Sequence, residues 1–137
     1  MRRVLLTFLA LAVLPAHATD LVQPALSELM WVARPIIVFA DNPNDPRFLQ
    51  QLEEFEEQTE ELEERDVVIL VDTDPSATSE LRKKFRPRDF RLLVIGKDGK
   101  VAYRKSNPVT VREVIRLIDR MPLRRDEIAA ERHRVAE

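Results

Sequence analysis

The sequence predicts an α/β fold in which helices flank a central mixed sheet, in the order βαβ-α-ββα. Two apolar runs, residues 36–40 and Val67–Asp72, are typical of parallel strands that are buried on both faces. A third run, Arg91–Ile95, is followed by the turn at residues 96–99, which contains both glycines of the protein and predicts an antiparallel hairpin. A parallel pair closed by a hairpin gives one mixed sheet.

The first strand leads into a polar turn, residues 41–46, and then into the first helix. Asp45 and Pro46 predict the helix start, with Asp as the N-cap and Pro at the first helical position. We expect this helix to run to about Arg65, and its other faces carry eight glutamates within residues 53–64. The predicted apolar face consists of Leu49, Leu52, Phe55, Thr59 and Leu62.

Two further helices follow the second strand and the hairpin. Asp74 and Pro75 repeat the helix-start signal, and Ala77, Leu81 and Phe85 are spaced to share one helical face. After the return strand at residues 100–104, Thr110 and Glu113 predict a capping box for a third helix with an apolar face. This face consists of Val114, Leu117, Ile118 and Met121, and Pro122 is expected to end the helix. The resulting order of elements is that of the thioredoxin-like fold.

The N-terminal segment has the pattern of a secretory signal peptide. Arg2 and Arg3 precede an apolar run of eleven residues, 4–14, which is too short to span a bilayer, and Ala-His-Ala at residues 16–18 is a cleavage site. We therefore predict a signal peptide at 1–18 and one domain at 19–137, with a core at about 27–122 and a polar C-terminal tail. Cleavage removes two arginines and changes the formal net charge from −2 to −4. The expected location is periplasmic or secreted, with no membrane span after cleavage.

The chain contains no cysteine, and this excludes several classes of chemistry. Disulfide exchange, thiol peroxidase activity, thiolate metal sites and iron–sulfur clusters all require a thiolate. His133 is the only histidine after the signal peptide, so a zinc site or a Ser-His-Asp triad is not expected. The sequence indicates no cofactor, no metal and no nucleic-acid partner, since its basic residues are not interleaved with aromatic ones.

Polar side chains gather where the first two strands end and the third begins. Ligands favour this edge of a parallel sheet. The candidate binding residues are Asp41, Asn42, Asn44, Asp45, Asp72, Asp89 and Arg91. Calcium binding and a structural role as N-caps and turn formers both fit these residue types, and the structural role is favoured because the spacing is not that of a calcium loop.

A basic cluster lies near the end of the second helix. It could recognise an anionic ligand, pair with a glutamate-rich helix of a neighbour, or simply complement the helix dipole, and the last interpretation is favoured. The glutamate-rich helix is interpreted in the same way, as a solvated face. The cluster consists of Arg82, Lys83, Lys84, Arg86, Arg88 and Arg91.

Three stretches resemble one known group of proteins. "RPIIVFA" at Arg34, "RPRDFRLLVIGKDGKV" at Arg86 and "SNPVTVREVIRLIDRMPLRRDE" at Ser106, with their spacing, are similar to the P-DUDES-type domain. This peroxiredoxin-like, thioredoxin-fold domain of unknown function occurs in bacterial exported proteins and in vertebrate extracellular sushi-repeat proteins. The similarity covers roughly residues 27–132, and it implies a fold and a compartment rather than a reaction.

The wider likeness to peroxiredoxins is incomplete at the reactive loop. These enzymes place an Arg before the third-strand apolar run, and Arg91 matches it. Their first loop has the pattern P-x-x-x-T-x-x-C. Counted from Pro43, Arg47 stands in place of the Thr and Gln50 in place of the Cys. The nearest proline before the third strand is Pro87, five residues ahead of Leu92, so the resemblance leaves open whether a cis-proline clamp exists.

The sequence therefore predicts a cysteine-free, exported domain that binds rather than catalyses. Its expected partner is an envelope protein or a small anionic ligand. The alternative is an enzyme that uses Arg91 and nearby carboxylates, either as a non-thiol oxidoreductase or in a metal-assisted reaction.

Overall fold

A four-stranded mixed sheet forms the centre of the protein in the computed structural model, which describes residues 23–137. The strands, in sheet order, are β2 (Val67–Asp72), β1 (Arg34–Phe39), β3 (Arg91–Ile95) and β4 (Val101–Lys105). β1 and β2 are parallel, whereas β3 is antiparallel to both of its neighbours. The predicted signal peptide and the predicted mature N-terminus lie outside the described residues.

In the described part of the chain, six helices cover the two faces of the sheet, and a short 3₁₀ turn at Pro75–Ala77 precedes the fourth. They are α1 (Leu26–Leu29), α2 (Pro46–Glu57), α3 (Thr59–Glu63), α4 (Glu80–Phe85), α5 (Val111–Asp119) and α6 (Pro122–Ala136). Alternate residues of β1 pack against different layers. Ile36 and Val38 contact the apolar residues of α2, α3 and α5, whereas Ile37 and Phe39 contact those of α1 and α4. Burial on both faces explains why the strand sequence is continuously apolar.

The predicted first helix is two helices, α2 and α3, separated at Gln58. Leu49, which was predicted to lie on the buried face, is 51% exposed. The buried face of α2 consists instead of Phe48, Gln51 and Phe55. Phe55 and Leu62 are buried as predicted, but the prediction was wrong at Leu49, because the fully buried Gln51 lies on the core-facing side of α2 in its place.

The start of the second helix also differs from the prediction. Asp74 caps only the 3₁₀ turn, where its carboxylate accepts a hydrogen bond from the backbone N–H of Ser76. Ser79 is the N-cap of α4, and Ala77 is exposed rather than packed. Leu81 does pack against the α1–α4 side of the core, as predicted.

The C-terminal segment is a continuous helix whose first two turns contact the domain. Thr110 caps α5 as predicted, but Pro122 begins α6 rather than only ending α5. Arg124 is buried, and Glu127 accepts two hydrogen bonds from the fully buried Arg34 at 3.1 and 3.2 Å. Within residues 23–137, no helix has both the length and the apolar character needed to cross a bilayer.

Candidate functional site

The junction between β1 and α2 is a tightly bonded turn. The side-chain oxygen of Asn42 accepts a hydrogen bond from the backbone N–H of Asn44 at 2.9 Å. Asp45 is buried and accepts the N–H of Arg47 at 2.9 Å, while Pro46 occupies the first helical position. Asp45 is therefore the N-cap of α2, as predicted.

Arg47 bridges the helix cap to the loop before β3. Its Nη2 lies 2.8 Å from Oδ2 of Asp45 and 2.6 Å from Oδ1 of Asp89, and its Nη1 lies 3.1 Å from Oδ2 of Asp89. The guanidinium carbon stands 5.6 Å from the ring centre of Phe90, within the range of a cation–π contact. We call Arg47, Asp45 and Asp89 the Arg47 bridge.

All three members of the Arg47 bridge are charged at neutral pH. The hydrogen bond from the Arg47 side chain holds the pKa of Asp45 below its ordinary value, and it does the same for Asp89. The same bonds raise the pKa of Arg47. A general acid or base needs a pKa near the working pH, so these carboxylates are poorly suited to proton transfer. The Arg47 bridge instead links the turn before α2 to the loop before β3.

Asp72 belongs to a separate, buried cluster at the ends of β1 and β2. Its carboxylate accepts hydrogen bonds from the hydroxyl of Ser79 and from Nε of Arg82, the latter at 2.7 Å. Nη2 of Arg82 also donates to the carbonyl oxygens of Ala40 and Asp72, at 2.7 and 3.1 Å. Arg82, which the sequence placed in a basic cluster near the end of the second helix, is 9% exposed. Its pairing was not predicted because its carboxylate partner is ten positions away and is contacted only after the chain reverses.

Arg91 lies on the opposite face of the sheet from the Arg47 bridge. The neighbouring Phe90 points to the other face, where it packs with α2 and α5. Arg91 is on the same face of the sheet as Leu93, which packs on the α4 side of the core. The side chains around it are those of Phe85, Arg86, Pro87, Leu93 and Arg104. The seven candidate residues therefore do not form one pocket.

The candidate residues fall into four groups. Asp45 and Asp89 meet through Arg47, Asp72 pairs with Arg82, and Arg91 lies across the sheet. Asp41, Asn42 and Asn44 are exposed in the turn before α2. Within residues 23–137, no three acidic or histidine side chains are grouped as a metal ion would require. The same residues contain no cis peptide bond, so Pro87 is trans.

Two residues important at the junction were not among the predicted site residues. Arg47 was noted only for replacing a threonine, since its partner Asp89 is 42 positions away. Gln51 is fully buried and exchanges two hydrogen bonds with the backbone of Val109, at 2.8 and 3.0 Å. A glutamine among apolar residues at helical spacing is a signal that could have identified Gln51.

Comparison with solved structures identifies the fold. The reduced 2-Cys peroxiredoxin of Plasmodium vivax superimposes with a TM-score of 0.57 at 15% sequence identity, covering 69% of this chain and 80% of that one. A chloroplastic thioredoxin z superimposes with a TM-score of 0.53 at 18% identity, with the same coverage. These similarities confirm the predicted thioredoxin-like α/β fold. Neither similarity carries an activity to this chain.

A search of curated proteins found no match to the sequence. Comparison with protein families is more specific than the structural similarities, because it identifies a family. Residues 25–127, which include every strand and the residues of the Arg47 bridge, match one family of unknown function. The protein is therefore a cysteine-free, thioredoxin-fold member of the family described as a domain of unknown function, DUF4174.

Proposed function

We propose that this protein is an exported, non-catalytic binding or scaffold module of the cell envelope, related to P-DUDES-type domains. It binds an envelope protein or a small anionic ligand. The Arg47 bridge is the observation that carries this proposal.

The Arg47 bridge occupies the place where thiol enzymes of this fold use a helix N-terminus. The free N–H groups of a helix start carry partial positive charge, which can stabilise a thiolate. Here the Asp45 carboxylate accepts a hydrogen bond from the backbone N–H of Arg47. The guanidinium of Arg47 donates to the carboxylates of both Asp45 and Asp89. The charge is already neutralised by side chains of the protein. A junction fastened in this way supports a structural role rather than a reactive one.

The position of Arg91 supports binding over the enzymatic alternative. That alternative requires a carboxylate beside Arg91 with a perturbed pKa. The nearest acid in sequence, Asp89, is directed to Arg47, and the cavity that Arg91 lines has no carboxylate among its lining residues. A cation without a neighbouring base is better suited to holding an anion than to transferring a proton.

The proposal predicts that the purified protein has no thiol-type turnover. Insulin reduction and peroxide consumption should both equal the protein-free blank in metal-free buffer, because these reactions need a thiolate. A matched control is an Arg91→Gln variant, which should give the same blank rate. Turnover by the wild-type protein that is lost in Arg91→Gln would contradict the proposal and favour the enzyme.

Export is tested separately. The basic N-terminus, the apolar run and Ala-His-Ala support cleavage after Ala18. N-terminal sequencing of the protein from a periplasmic or extracellular fraction should begin at Thr19. A cytoplasmic protein that retains Met1 would refute the location.

A further inference from the structure

A small cavity on the α4 side of the sheet is lined by three arginines. It has a volume of about 170 Å³ and lies where the end of α4 approaches β3 and β4. Its charged lining residues are Arg86, Arg91 and Arg104, and its remaining ones are Phe85, Pro87 and Leu93. The cavity belongs to neither the Arg47 bridge nor the cluster around Asp72.

Within residues 23–137, no acidic side chain balances the charge of this cavity. No carboxylate is among its lining residues, and none of the three arginines forms an ion pair in that part of the chain. Arg47 and Arg82, by contrast, each contact a carboxylate at 2.6 to 2.8 Å. Three like charges around one cavity repel one another, and an anion placed among them would relieve that repulsion.

The three guanidinium groups are presented by regular or constrained backbone. Arg91 and Arg104 project from the antiparallel pair β3 and β4, and Arg104 is paired with Leu93, two residues from Arg91 on the same face. Arg86 terminates α4 in the left-handed region, with φ 47° and ψ 54°, and its N–H donates to the carbonyl oxygen of Arg82 at 2.9 Å. An arginine rarely adopts this conformation, and Pro87 follows it directly.

We propose that Arg86, Arg91 and Arg104 form a binding site for a phosphate group, either free or as a terminal monoester. The proposal rests on the binding function proposed above and names the class of ligand. The planar fork of a guanidinium donates two parallel hydrogen bonds to phosphate oxygens. A phosphate monoester carries up to two charges and three free oxygens, and the free ion has one oxygen more, so either suits three arginines better than a single carboxylate does.

The size of the cavity fits a compact anion. Pockets for drug-sized ligands occupy about 300–1,000 Å³, so about 170 Å³ is too small for most of them. The cavity is therefore of a size for a compact anion such as a phosphate group, while the remainder of a monoester extends into solvent.

Titration of the full mature chain with inorganic phosphate tests this site. Binding is measured by calorimetry and by ³¹P NMR in a chloride buffer of constant ionic strength. Saturable binding of one phosphate per chain is expected. Arg91→Gln and Arg104→Gln should each weaken it by about tenfold or more, because each removes charge-assisted hydrogen bonds. Arg112→Gln, which removes an exposed arginine of α5 outside the cavity, should change the affinity less than twofold.

Parallel titrations distinguish the sources of the anion. Tighter binding of glycerol phosphate than of inorganic phosphate would support a monoester ligand, and the reverse order would support the free ion. Tighter binding of succinate or acetate than of either phosphate would overturn the assignment to phosphate. Non-saturable binding, or equal losses in Arg104→Gln and Arg112→Gln, would overturn the site itself.

These outcomes are independent of the test for turnover. A protein that binds no phosphate and has no thiol-type activity loses only this inference, whereas Arg91-dependent turnover contradicts the proposed function. Arg104→Gln serves as the second variant if Arg91→Gln fails to fold, since Arg104 is exposed on the edge strand. Circular dichroism of each variant establishes that it is folded before titration.

Discussion

Arginines flank the start of β3 on opposite faces of the sheet, one on the α2 face and three on the α4 face, and they differ in whether the described residues supply their counter-charges. On the α2 face, Arg47 contacts the carboxylates of Asp45 and Asp89. On the α4 face, Arg86, Arg91 and Arg104 surround a cavity that has no carboxylate among its lining residues. Deeper on this second face, Arg82 is buried and donates hydrogen bonds to the carboxylate of Asp72 and to the carbonyl oxygens of Ala40 and Asp72.

The comparison separates arginines that hold the fold together from arginines that are available to a ligand. A paired, buried arginine cannot be removed without leaving a buried carboxylate unpaired, so its loss should cost stability. An unpaired arginine leaves no such group behind, so its loss should affect binding rather than folding. Three predictions test this distinction, in order of decreasing effect.

Replacement of Arg82 should have the largest effect on stability. Arg82→Met keeps much of the side-chain volume but leaves the Asp72 carboxylate without its charged partner and the carbonyl oxygen of Ala40 without the guanidinium donor. The free energy of unfolding should fall by about 3–5 kcal/mol, as measured by urea denaturation. Arg104→Met is the matched control and should change stability by less than about 0.5 kcal/mol. Equal losses in both variants would remove the distinction between paired and unpaired arginines.

Removal of the α2 cap should have a smaller effect. Asp45→Ala deletes the carboxylate that accepts the N–H of Arg47 and contacts its guanidinium, so the Tm should fall by roughly 3–8 °C. Asn44→Ala removes a neighbouring exposed side chain and should leave the Tm nearly unchanged. Differential scanning fluorimetry measures both. An unchanged Tm in Asp45→Ala, together with lost binding of a partner or a metal, would identify the junction as a working site.

The pH dependence of the Arg47 bridge should be the smallest of the three effects. The hydrogen bond from Arg47 lowers the pKa of Asp89 below 3.8, so the folded protein binds this proton more weakly than the unfolded chain. The resulting stabilisation is complete above about pH 5 and is lost as the pH falls through the lowered pKa. The Tm difference between wild type and Asp89→Asn should therefore shrink on acidification from about pH 6 to about pH 3.

The expected difference is modest because Asp89 is 61% exposed in its side chain and salt screens it. Asp41→Asn, in the turn before α2, is the control. It shows whether removal of any nearby acid gives the same dependence of the Tm difference on pH. A Tm difference that grows as the pH falls would show that the Arg47–Asp89 contact does not contribute to stability.

The sequence predicted the elements whose signals are local. The three apolar runs became β1, β2 and β3, because a strand buried on both faces must be continuously apolar. Asp45-Pro46 and Thr110 were correct as helix starts, since an N-cap needs only a side chain two or three residues from the N–H that it accepts. The prediction failed at Leu49, where helical spacing alone did not show which side of α2 faces the sheet.

By itself, the sequence determined the mixed α/β sheet, the cap of α2 and the absence of thiol chemistry, all of which depend on composition or on neighbours within a few residues. Only the tertiary structure decided which arginines have counter-charges. Arg47 meets Asp89 across 42 positions, and Arg86, Arg91 and Arg104 converge because α4 ends beside an antiparallel pair. These contacts depend on strand register and on the face to which each side chain points, and a shift of one residue in a strand reverses that face.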